Sequence, residues 1–109
     1  MRGISFKLRE EINFNEIKAK VENAFGINLN CIDDEGRYVA RGANEIFNVE
    51  LVDKYDRSSE LLCDDHYVLD VILKKDAHLN KLFEEDIKRK IANEHIEWER
   101  YIWFPCPLD

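Results

Sequence analysis

A chain of 109 residues, 45% hydrophobic and 36% charged, is long enough for one domain around one core and too apolar for a disordered segment. Its formal net charge of −7 weighs against a nucleic-acid binder, which needs a basic face for phosphate. Apolar runs of four residues or fewer leave no candidate for a membrane-spanning helix.

The residues from Met1 to Lys7 lack the apolar core of a signal peptide. Cys31, Cys63 and Cys106 are odd in number and widely spaced, which fits reduced thiols better than a disulfide framework. These features predict a soluble cytoplasmic protein whose single acidic domain spans residues 1–109.

In chain order, Ile4, Phe6 and Leu8 alternate with polar neighbours and predict a half-buried strand. Asn13 caps a helix, with Glu16 three residues on as its capping partner. Phe14, Ile17, Val21, Ala24 and Phe25 share one helical face, and Gly26 supplies the stop. Leu29 and Cys31 alternate with Asn30 and Ile32 in a strand that ends in the turn Asp33-Asp34-Glu35-Gly36. A return strand over 37–41 puts Tyr38 and Ala40 on one side, and Gly42-Ala43-Asn44 reads as a turn or bulge. Phe47, Val49 and Leu51 mark the next strand.

Residues 53–65 show neither period and read as a long polar loop, while 66–73 has the apolar density of a central strand. Asp76 caps a second helix that turns Leu79, Leu82, Phe83, Ile87 and Ile91 inward. Residues 96–104 alternate as a last strand, with a longer helix as the competing reading, and Pro105 and Pro107 end either one. The expected fold class is α+β. A mainly antiparallel sheet of about five to six strands carries two helices on one face, in the order β-α-β-β-β-β-α-β.

No catalytic constellation stands out. Cys63 and His66 have Cys-x-x-His spacing, but a zinc site needs a second pair and none exists, so no metal or other cofactor is expected. Glycine-rich phosphate loops and Gly-x-Ser-x-Gly are absent. Arg89 and His95 have the Arg-x5-His spacing that resembles a ribonuclease motif of the HEPN family. That family is all-helical, whereas strands dominate residues 27–73, so the pair is taken as a helix-end charge and its neighbour. The chain is expected not to be an enzyme.

Charge distribution is more informative. Residues 31–65 hold ten acids against four bases, most of the chain's net charge. Such crowding opposes compaction and is relieved by a basic partner. The candidate contact set is Asp53, Tyr55, Asp56, Glu60, Asp64 and Asp65, joined by Asp33, Asp34 and Glu35 if the hairpin tip lies at the same sheet end. In the aromatic segment, Trp98 and Phe104 are expected to pack inward, leaving Tyr101 and Trp103 as a secondary contact patch.

In size, acidity and element order, with the acidic stretch 53–65 as its local feature, the chain is similar to bacterial immunity proteins of contact-dependent growth inhibition and related polymorphic toxin systems. The resemblance implies one-to-one binding of the C-terminal domain of a cognate toxin, often a basic nuclease, with no direct contact to nucleic acid or membrane. Two other classes compete: a small adaptor or regulatory homodimer, and a small metal-dependent enzyme around Cys63 and His66.

Overall fold

The first strand is built on strict alternation: Ile4, Phe6 and Leu8 are fully buried, while Ser5 and Lys7 between them point to the opposite side. The computed structural model describes residues 2–56, 61–62, 66–74 and 81–104. Its elements are β1 (Arg2–Leu8), α1 (Phe14–Phe25), β2 (Asn30–Asp34), β3 (Arg37–Ala43), β4 (Phe47–Asp56), β5 (Leu61–Leu62), β6 (Val68–Leu73), α2 (Lys81–Asn93) and β7 (Trp98–Phe104). The order read from the sequence is the order found, with the two-residue β5 in addition.

All strands pair antiparallel along the path β2-β3-β4-β6-β1-β7, and β5 adds to the end of β4. Because β1 and β4 are each antiparallel to β6, they run in the same direction with β6 between them. Both helices lie on one face. Phe14, Ile17, Val21 and Phe25 of α1 and Ile87 and Ile91 of α2 share a single apolar core with the alternate residues of β1, β4 and β6.

Helix α1 starts and stops for local reasons. Asn13 Oδ1 accepts from the Glu16 N–H at 2.9 Å, and Gly26 takes the left-handed conformation, donating its N–H to Glu22 O at 2.8 Å. Helix α2 is described from Lys81; the expected cap Asp76 and inward Leu79 lie outside the described residues. Leu82 does not face the core as expected, being 76% exposed, whereas Phe83 packs partly against it. Gly42 is required by close approach, since a Cβ there would stand 2.4 Å from Asn28 O.

The region 53–65 departs from the predicted loop. Strand β4 runs on to Asp56 and turns back through β5, with Tyr55 opposite Leu62 and Asp56 opposite Leu61. Residues 98–104 are a strand, which resolves the helix alternative. A left-handed turn at His95 (φ 55°) stops α2 and sends the chain back along β1.

Phe6 concentrates the core, buried on β1 with ring centroids 5.7 Å from both Trp98 and Tyr101. Phe6→Ala is expected to cost about 3–5 kcal/mol in urea unfolding. Removing the α1 cap with Asn13→Ala is expected to cost about 1 kcal/mol in the same assay.

Candidate binding surfaces

The tip of the β2–β3 hairpin is a tight turn in which Glu35 (φ 53°) and Gly36 (φ 96°) both take positive φ, as a two-residue hairpin connection demands. Asp33 Oδ1 accepts from the Gly36 N–H at 2.6 Å and fixes the turn. Asp33, Asp34 and Glu35 are all exposed there. Strand register places Asp34 opposite Arg37 and Arg37 opposite Asp56. The acidic tip and the end of β4 therefore share one end of the sheet.

Asp53 does not belong to that surface. Asp53 continues the inward alternation of Phe47, Val49 and Leu51; from there to the pair Arg37–Asp56, β4 carries three residues against one on β3, a bulge. Asp53 is 2% exposed; its Oδ1 accepts from the Lys54 N–H at 2.7 Å, and its carbonyl accepts from Arg37 Nε at 2.8 Å. Its role is to satisfy the bulge from within, which corrects the expected surface contact. Tyr55 and Asp56 hold the last two positions of β4; Glu60, Asp64 and Asp65 lie outside the described residues, as does Cys63.

The expected aromatic patch is also rearranged. Tyr101 turns toward the helices, stacks on Phe6 and joins the core, so it is not a free contact residue. Trp103 remains 39% exposed at the sheet rim, where its Nε1–H donates to Glu84 Oε1 at 2.8 Å. Lys88 Nζ lies 3.8 Å from the centre of the Tyr101 ring. Burial works against the Glu84 charge, but hydrogen bonds from Tyr101 and Trp103 and the Lys88 charge prevail and hold its carboxyl below the usual range. These contacts tie α2 to β7.

Among the described residues, no helix lies on the other face of the sheet. Register partners point to the same side, so two rows can be read across six strands. One is Ile32–Val39–Val52–Val68–Lys7–Arg100, and its neighbour is Asn30–Arg41–Glu50–Asp70–Ser5–Ile102. An apolar band thus crosses β2, β3, β4 and β6 on the open face. Ile32 is 41% and Ile102 60% exposed. Arg41 Nε meets Glu50 Oε1 at 2.7 Å, and a groove of about 1100 Å³ runs past this pair toward Ile72 and Lys74.

Sequence reasoning missed this surface, although apolar doublets (Val39-Ala40, Leu51-Val52, Val71-Ile72) are the mark of strands apolar on both faces. Among the described residues, no group of three or more His, Cys, Asp or Glu side chains is arranged to hold a metal ion, and no helix is long and apolar enough to cross a membrane. His66 Nε2 instead lies 2.7 Å from Glu99 Oε2. Arg89 pairs with Asp86, and His95 follows the end of α2. Comparison with protein-family models, with curated proteins and with solved structures finds no match.

Asp70 is the perturbed group of the open face. Burial raises its carboxyl above the ordinary range, the Ser5 hydroxyl opposes this, and the Glu50 charge adds to it. The folded state therefore takes up this proton at higher pH than the unfolded chain, and acidification through that interval favours folding. Asp70→Asn is expected to raise the thermal midpoint at neutral pH. Its advantage over the wild type should shrink as the pH falls and the wild-type carboxyl becomes protonated.

Proposed function

We propose that this protein is an immunity-type inhibitor that binds a basic toxin domain through the acidic end of its sheet and blocks access to the toxin's active site. The observation that carries the reading is the register Asp34–Arg37–Asp56, which brings the exposed acids of the hairpin tip beside the end of β4. The turn there is held by its own backbone geometry and by Asp33, so the carboxylates are preorganised on a stiff hairpin. Asp34, Glu35 and Asp56 are the contact residues. Carboxylates so placed steer a basic partner into encounter and pair with its Lys and Arg side chains in place of nucleic-acid phosphate.

Inhibition by this route needs no cofactor and no chemistry from the chain itself. It takes place in the cytoplasm, where a delivered toxin would act. One copy of the chain engages one toxin domain.

The test is co-purification with a candidate toxin C-terminal domain, should the reading frame upstream encode one as this proposal expects, followed by titration. A one-to-one complex is expected, with affinity falling steeply as salt rises. Asp34→Asn/Glu35→Gln/Asp56→Asn should weaken it about 10- to 1000-fold with the thermal midpoint unchanged. Full protection of growth by that triple variant would reject the acidic end as the contact surface.

A further inference from the structure

We propose that the groove between Lys7 and Arg100, on the open face of the sheet, binds the phosphate group of a small phosphate monoester. The groove lies on the β7 side of the sheet, away from the acids assigned to the toxin contact, and stands whether or not that reading holds.

Lys7 and Arg100 are a pair of cations that the fold leaves unanswered. They are register partners on β1 and β7, so their side chains leave the sheet side by side on the face away from the helices. Like charges in directly opposite positions destabilise a strand pair. Elsewhere cations are answered: Lys20 meets Glu10, Arg41 meets Glu50 and Lys88 meets Glu84. Among the described residues, neither Lys7 nor Arg100 has an ion pair. With 23 acids to 16 Lys and Arg, the chain is not short of counter-charges. Those beside the pair are engaged: Asp70, opposite Ser5, accepts from the Ser5 hydroxyl, and Glu99 Oε2 lies 2.7 Å from His66 Nε2.

The backbone prepares the same place. Strand β7 carries Glu99 as an extra residue between the pairs Lys7–Arg100 and Leu8–Trp98, a bulge beside Arg100. Bulges re-aim neighbouring side chains and recur next to functional sites. A groove of about 220 Å³ lies here, lined by Ser5, Lys7, Val68, Arg100 and Ile102. Phe6 and Tyr101 also border it; their rings turn to the core, so their backbone forms its floor. Drug-sized sites run to about 300–1,000 Å³, so this smaller groove suits a compact anion with a short tail.

Chemistry selects the anion. Arginine offers a planar fork that takes two phosphate oxygens, and lysine adds a point charge beside it. Two cations match the charge of about −1.5 to −2 on a phosphate monoester at neutral pH, whereas a carboxylate or a phosphodiester brings a single charge. The net charge of −7 opposes a polyanion such as nucleic acid, so the occupant is a small molecule. Val68 and the 60% exposed Ile102 give its carbon portion an apolar wall.

NMR titration of the full chain at fixed ionic strength tests the proposal, at about pH 7.5 so that a monoester is dianionic. Phenyl phosphate should give saturable shifts centred on Ser5, Lys7, Arg100 and Ile102, with a Kd on the order of 1 mM or tighter. Methyl phosphate should bind more weakly for want of the apolar contact, and dimethyl phosphate about 10-fold more weakly again. Lys7→Gln/Arg100→Gln should lose about 10-fold or more in affinity for phenyl phosphate. That variant relieves a like-charge pair, so its thermal midpoint should not fall. Lys74→Gln, at an exposed lysine just past β6, should bind as the wild type does. Shifts that grow without saturating, or an affinity unchanged in Lys7→Gln/Arg100→Gln, overturn the proposal. Dimethyl phosphate binding as tightly as methyl phosphate overturns the monoester assignment. A phosphoserine peptide that binds more than about 10-fold tighter than phenyl phosphate overturns the small molecule in favour of a phosphorylated protein.

Discussion

Everything in this fold depends on β1 satisfying two demands at once. Its backbone is paired on both sides, with β6 and with β7, so no hydrogen-bonding edge is left over most of its length. Its side chains divide strictly, Ile4, Phe6 and Leu8 toward the helices and Ser5 and Lys7 away from them. Fully burying three large apolar residues on one seven-residue strand supplies on the order of 5–8 kcal/mol of hydrophobic stabilisation, an upper estimate before chain entropy is counted. The strand also fixes where both helices go, because α1 and α2 must cover that same row.

One-sided coverage then determines the kinds of surface available. The helix side ends in polar helix faces and in the rim that links Glu84, Lys88, Tyr101 and Trp103. On the far side the described residues place no helix; Ile32 and Ile102 are exposed there and Val39 is buried. Acid excess gathers at the hairpin end, while the alternation of β4 takes Asp53 out of the acidic run and into the interior. A single run of acids in the sequence therefore serves two purposes, one structural and one on the surface.

Legibility in the sequence followed how local the cause was. Helix α1 was readable to the residue because its cap, its period and its stop all lie within Asn13 to Gly26. The hairpin turn at 35–36 was equally local. Strand β7 was ambiguous because a register shift between Lys7 and Leu8 breaks the alternation, so that Trp98 and Tyr101 both reach the core. Alternation alone assigned Tyr101 to the wrong side. Asp53 continues the inward alternation of Phe47, Val49 and Leu51, a period that reading 53–65 as a loop cut short. The open face went unread for a different reason: Val52, Val68 and Ile32 are far apart in the chain, and only the register joins them into a band.

The pairing of β1 has a kinetic consequence as well. Residues 2–8 are synthesised before their neighbours, residues 68–73 and 98–104. Until those strands exist, the most apolar strand of the core has no partner, and the contacts that close the sheet span nearly the whole chain. Such long-range closure is slow relative to local helix formation. A nascent chain stopped short of β7 presents Ile4, Phe6 and Leu8 on an unfinished edge, an invitation to aggregate. The sheet closes only once β7 has been made, and helix α1 waits, formed or flickering, for that strand to arrive.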